Sequence, residues 1–132
     1  AAAPTLIANG PHAHSRIVAI ASAAGRGGHT KLAAYGATKY AVVGLIRGVA
    51  ADLAPFGVTA NCVSPGSTRT PILHASADVY GLASMEEFGH QQPIGRLLEP
   101  DEIAAMAAFL SSSACGYLSG TVIDVDGGIG FR

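Results

Sequence analysis

The sequence predicts an α/β domain built on a parallel sheet, and three observations predict it. Short apolar runs rich in β-branched residues fall at 17–21, 58–63 and 121–125, the pattern of strands covered on both faces. Longer segments with helical spacing stand between them, at about 32–54 and 99–110. Strands alternating with helices in this way build parallel sheets. Chain breakers close the segments: Asn9-Gly10-Pro11, Pro55 with Gly57, Ser64-Pro65-Gly66 and Asp126-Gly127-Gly128.

Taken in order, residues 1–8 read as the end of a helix. Asn9-Gly10-Pro11 stops it, because glycine tolerates a left-handed terminus and proline cannot continue. Residues 17–21 follow as a strand buried on both faces, and a loop with Gly25, Gly27 and Gly28 leads into the long helix. Apolar positions wrap most of that helix, so it is expected to be covered on more than one side. The second strand breaks at Ser64-Pro65-Gly66. Residues 67–92 are polar and irregular, with helical pieces near 71–77 and 85–90, the composition of a mobile lid. Glu99-Pro100-Asp101-Glu102 opens the next helix, with proline in the first turn and acids complementing the dipole. Three strands with this much apolar helix surface cannot cover it themselves, so half of a doubly wound sheet, which combines two such halves, is expected here.

The 132 residues suffice for one small domain. Hydrophobic residues at 49% and charged residues at 13% exclude a disordered or highly charged module. A net charge of −1, with the eight basic residues scattered, gives no reason to expect nucleic acid or an anionic membrane as partner. The first residues lack a signal-peptide pattern and no apolar run is long enough to span a bilayer, so a soluble, cytoplasmic protein is expected. Cys62 and Cys115 make no disulfide framework, and Cys62, inside an apolar run, is expected as a buried reduced thiol. No metal site is expected: among the five histidines only His12 and His14 are close, in a polar loop where alternate residues need not converge.

Tyr35-Gly36-Ala37-Thr38-Lys39 places a phenol and an ammonium four residues apart, on one face of the long helix. A nearby ammonium favours phenolate over phenol, and such a tyrosine can take a proton from an alcohol or return it to a carbonyl oxygen. Alone the pair reads equally as a surface tyrosine resting on a lysine stem. Ser22 lies thirteen residues earlier, just past the first strand, at the sheet end where open α/β folds bind ligands. Its hydroxyl can support developing negative charge there; by itself it is more simply a cap or loop serine. Pro65-Gly66-Ser67-Thr68-Arg69-Thr70 follows the second strand, where glycine lets backbone approach a ligand and the amides and hydroxyls after it can bind one. Pro-Gly is also ordinary turn punctuation.

Together, Ile20-Ala21-Ser22-Ala23-Ala24-Gly25, Tyr35-x-x-x-Lys39, Asn61-x-Val63-Ser64-Pro65-Gly66-x-x-x-Thr70, Gly95-Arg96 with Pro100-x-Glu102, and Asp126-Gly127-Gly128 resemble the short-chain dehydrogenase/reductase family, across nearly the whole chain. The resemblance implies a Rossmann-like fold and an oxidoreductase using NAD or NADP to interconvert a secondary alcohol and a carbonyl. It implies that Tyr35 is the general acid/base, that Lys39 holds the nicotinamide ribose and tunes Tyr35, and that Ser22 orients the reacting oxygen. It further implies that Pro65, Gly66, Ser67, Thr68 and Thr70 hold the nicotinamide end, with the Thr68 backbone on the carboxamide and the Thr70 hydroxyl near carboxamide or pyrophosphate. Asp126-Gly127-Gly128 would be structural, near a subunit contact, in a homotetramer or homodimer. The wording Ser67-Thr68-Arg69-Thr70-Pro71 and Tyr80-Gly81-Leu82 is also similar to actinobacterial members associated with mycofactocin, which hold NAD tightly.

The departures are as informative. The family's glycine-rich dinucleotide loop, the residue that separates NAD from NADP, and the relay asparagine have no counterpart. Gly25-Arg26-Gly27-Gly28 lies in the wrong loop with the wrong spacing, Asn9 is too close to Ser22, and Asn61 sits in a strand. Residues 1–132 are therefore expected to be the catalytic half of a dinucleotide-binding domain whose amino-terminal half is not in this sequence. The rival readings are a non-catalytic dinucleotide-binding relative acting as sensor or scaffold, and a half-domain with an assembly role. Arg69 is read equally as a phosphate contact or a solvated side chain. Met85 and Phe88 are read as lid anchors, and His74 and His90 as solvated lid residues.

Overall fold

In a computed structural model, the described residues are 2–131; the side chains of 11–13 and 131 lie outside the description, and with them the reading of His12. Ala1, assigned to the opening helix, lies outside it as well. The elements are α1 (Ala3–Ala13), β1 (Arg16–Ile20), α2 (Ala33–Leu53), β2 (Thr59–Pro65), α3 (Pro71–Tyr80), α4 (Pro100–Ser111) and β3 (Val122–Val125). All three strands run parallel in the order β1-β2-β3. Ile17 pairs with Ala60 and Ile20 with Val63, while Val63 pairs with Ile123 and Pro65 with Val125.

Side-chain alternation assigns a helix to each face of this sheet. Ile17, Ala19, Ala60, Cys62 and Val122 face one way and pack against Val43, Ile46 and Ala50 of α2. The intervening Val18, Val63, Ile123 and Val125 face the other way, against Ile103, Met106 and Leu110 of α4. The result is three layers, helix on sheet on helix, the doubly wound arrangement expected from the sequence. The central strand is buried along its whole length. Cys62 and Cys115 are both buried free thiols, and burial pushes the Cys62 thiol up, with Arg47 opposing. Asn61, also buried, spends its side chain on structure. Its amide nitrogen donates to Leu118 O at 2.8 Å and its oxygen accepts from Thr121 N at 3.2 Å.

Three local expectations need correction. Asn9-Gly10-Pro11 does not end α1, which runs through it to Ala13 and is capped by His14 at φ 50°. Proline's fixed φ is itself helical, so the backbone can continue through it. Gly10 instead serves close approach, because a Cβ there would collide with the Phe56 carbonyl. Next, β1 has a helix against each face but is half-buried rather than buried, since β2 is its one partner among the described strands; Ile20 is 46% exposed. Finally, α2 is covered on one stripe, Val43, Ile46, Ala50 and Leu53, while Tyr40 and Leu45 on its other side stay open at 50% and 65% exposure.

Candidate active site

The carboxyl end of β1 delivers Ser22. Its backbone is extended, and its Oγ accepts a hydrogen bond from Ala24 N at 3.2 Å, capping the short 3₁₀ turn Ala23–Gly25. The cap uses a lone pair, so the O–H remains a donor. Gly25 then lets this turn lie directly on α2: a Cβ there would stand 3.0 Å from the Lys39 carbonyl carbon and oxygen. That contact is what brings the serine loop to the helix that carries Tyr35 and Lys39.

On α2, Lys39 continues the buried stripe by one turn toward the sheet's carboxyl end. It is half-buried, its Nζ donates to Ile20 O at 3.3 Å, and it stands 5.6 Å from the centre of the Tyr35 ring. Tyr35 itself is 42% exposed, so its phenol is open to a ligand. An ammonium has three N–H donors, and the Ile20 carbonyl takes one. The two left match a vicinal diol such as a ribose, and the Tyr35 phenol and the Ser22 O–H are the hydroxyls on the neighbouring segments. These residues fit the nicotinamide end of a dinucleotide.

The turn after β2 is stitched on both sides. Gly66 N donates to Val125 O at 3.0 Å, Leu98 N to Ser67 O at 3.0 Å, and Arg69 N to Leu98 O at 2.9 Å. Its hydroxyls work inside the turn. Thr68 Oγ1 donates to Gly66 O, while Thr70 Oγ1 donates to Thr68 O and caps α3 through Leu73 N. Arg69, partly exposed to solvent, has its guanidinium held by Glu86 and Glu99, which raise its affinity for the proton. It ties the lid to the start of α4.

The segment expected as a lid has its own small core of Ala77, Phe88 and Leu97, with Leu73, Tyr80, Leu82 and Met85 packed on it, so Met85 and Phe88 do anchor it. His74 and His90 are exposed. The lid reaches back to the entrance of α2: Lys31 Nζ donates to Val79 O at 3.0 Å and lies 5.4 Å from the Tyr80 ring centre, while the Tyr80 hydroxyl donates to Thr30 O. Lys31, at φ 62°, holds a left-handed conformation uncommon outside glycine. Asp126 is structural, accepting from Gly128 N and Gly130 N. Sequence reasoning missed Lys31 and the buried Gln92, neither of which carries a local motif, and the contact of Tyr80 with the entrance of α2.

Comparison with known proteins agrees with this fold. The sequence pattern of a family described as enoyl-(acyl carrier protein) reductase matches residues 1–130. The chain is 38% identical over 120 residues to the short-chain reductase protein NovJ of Streptomyces niveus, covering 87% of this chain and 45% of that protein. It is 36% identical over 124 residues to a diacetyl reductase [(S)-acetoin forming] of Staphylococcus aureus, covering 89% of this chain and 48% of that one. Among solved structures, a putative NAD(P)-dependent gluconate 5-dehydrogenase from Beutenbergia cavernae with bound NADP superposes with a TM-score of 0.86 at 36% identity, over 98% of this chain and 50% of that one. The chain thus spans about half the length of the relatives it matches.

Proposed function

Since the chain belongs to the short-chain dehydrogenase/reductase family, we propose that it is the catalytic half of an NAD- or NADP-dependent oxidoreductase interconverting a secondary alcohol and a carbonyl. The observation that carries this reading is Lys39 set between the Tyr35 ring and the Ile20 carbonyl, on the helix against which the Ser22 turn lies. The dinucleotide-binding half, with its glycine-rich loop, would be supplied outside residues 1–132.

Bound nicotinamide would supply or accept the hydride. The chain's own residues handle the oxygen and its proton. Ser22 donates a hydrogen bond to the carbonyl oxygen and holds it against the charge that builds as the carbon is reduced. Tyr35 gives that oxygen its proton, or takes it back in the oxidative direction. Lys39 favours the charged phenolate when the proton has left, and its remaining N–H donors hold the ribose hydroxyls. Residues 65–70 close over the nicotinamide end, and the lid excludes water.

Within the family, the wording from Ser67 to Pro71 and at Tyr80-Gly81-Leu82 supports a place among the mycofactocin-associated members. A natural protein purified with NAD already bound would bear this out, and a dinucleotide-free one that exchanges cofactor freely would refute it. The open apolar faces of α2 and α4, with Leu45 and Phe109 more than half exposed, support assembly as a homodimer or homotetramer. No helix among the described residues is long and apolar enough to cross a membrane.

The test is a reductase assay on the natural full-length protein, with NADH and NADPH against a panel of ketones and diketones. Carbonyl-dependent oxidation of the reduced dinucleotide is the expected result. Tight dinucleotide binding with no turnover on any carbonyl would leave a sensor or scaffold instead.

A further inference from the structure

We propose that Gln92 is a positioning residue for the nicotinamide-binding turn, its buried amide clamping the backbone of Ser67 to that of Arg96. The proposal rests on the dinucleotide reading of residues 65–70 given above. Gln92 closes the lid segment and is 2% exposed. Its Nε2 donates to Arg96 O at 2.7 Å and to Ser67 O at 3.3 Å. Ser67 O also accepts from Leu98 N, so this one carbonyl joins the turn to the 96–98 stretch twice. On the other flank, a Cβ on Gly66 would strike Gln92 Oε1 and stand 2.9 Å from the Asp126 Cα. The side chain fills the space under the turn, and the glycine exists to let it.

The oxygen of the same amide decides between a clamp and a mere filler. Gln92 Oε1 is buried and accepts no hydrogen bond among the described residues. A buried amide with an unsatisfied acceptor is destabilising beside an apolar side chain of the same shape. The unmet acceptor costs stability, so the filling of space alone does not account for glutamine at this position. What glutamine adds is two N–H donors aimed at two backbone carbonyls, which fix the height and tilt of the turn before any ligand arrives. Preorganising a binding loop lowers the cost of binding.

Two variants of the natural full-length protein test the clamp. Gln92→Leu keeps the volume and removes both donors. Gln92→Glu keeps the shape but points a carboxylate at two carbonyls until it is protonated. The charged groups lining the cavity of about 350 Å³ beside residue 92 are Arg96, Glu102, Asp124 and Asp126. Arg96, the cation among them, is already paired with Glu102, and the carboxylates of Asp124 and Asp126 would oppose a new negative charge.

Hydrogen exchange in the absence of dinucleotide, and the dinucleotide Kd by calorimetry, are the readouts. For Gln92→Leu we expect faster exchange confined to residues 66–70 and a Kd raised about tenfold, with the KM for the carbonyl unchanged. For Gln92→Glu, burial raises the acid's pKa, and its neutral form alone can donate. Affinity is then nearer normal at about pH 6 and falls by about pH 8, an interval over which the parent protein stays flat. Unchanged Kd and exchange in Gln92→Leu, or exchange raised throughout the sheet with no pH effect in Gln92→Glu, would overturn the proposal. If Gln92→Leu fails to fold, the pH profile of Gln92→Glu decides alone. A parent that binds no dinucleotide at all refutes the functional reading itself, and with it any role for Gln92 in placing a cofactor.

Discussion

Lys39 holds its ammonium 5.6 Å from the centre of the Tyr35 ring while donating to Ile20 O at the end of β1. A backbone carbonyl thereby fixes the cation, and the cation's place fixes what it can do to the phenol. Replacing Lys39 by methionine keeps the stem and removes the charge. It is expected to lower kcat by about 10²–10⁴-fold, the range for a lost acid–base function, and also to raise the dinucleotide KM. Steady-state kinetics check both. A change in KM alone would make Lys39 a binding residue only.

The Ser22 turn reaches α2 because Gly25 has no side chain. Gly25→Ala brings a Cβ within 3.0 Å of the Lys39 backbone, so turn and helix must part. A parting of a few tenths of an ångström falls short of the about 1 Å that costs about 10²-fold in rate, so a several-fold fall in kcat is expected. Near-normal kcat with an unshifted Tm in this variant would show that the contact does not set the geometry.

Lys31 and Tyr80 join the lid to the entrance of α2. Tyr80→Phe removes one hydrogen bond, and Lys31→Ala removes another; each is expected to raise the KM of the carbonyl substrate several-fold with kcat nearly unchanged. Lys31→Gly separates latch from strain, since it loses the latch but suits φ 62°. It should therefore melt at a higher temperature than Lys31→Ala, by the equivalent of about 1 kcal/mol.

Arg96 holds the Glu102 carboxyl down to about 2 from an ordinary 4.5, with the Glu99 amide adding to it. A carboxyl whose pKa is lower folded than unfolded stabilises above its unfolded value and loses that contribution as pH falls toward the folded one. Denaturant midpoints should therefore drop between about pH 5 and about pH 2, more shallowly in Glu102→Gln. Identical slopes would remove Glu102 from the acid response. Arg69 lowers Glu86 in the same sense.

The sheet, the long helix and the shared face of Tyr35 and Lys39 were legible in the sequence, because each is written in local spacing. Residues 17–21 and 58–63 declare strands by their apolar runs, and Tyr35 and Lys39 share a face by helical period alone. What escaped depends on contacts between distant segments. Gly10 reads as a stop signal until the Phe56 carbonyl is seen against it. Arg69 reads as a free cation until Glu86 and Glu99 close on it. Gln92, in a polar stretch, gives no local sign of being 2% exposed.

The most direct measurement is turnover of Tyr35→Phe in the natural full-length protein, alongside dinucleotide titration. Removing one oxygen from a half-open ring disturbs neither packing nor the Lys39 contact with Ile20, so dinucleotide should bind nearly as before while carbonyl reduction all but disappears. Turnover at the parent rate would contradict the account, for then no proton passes through Tyr35.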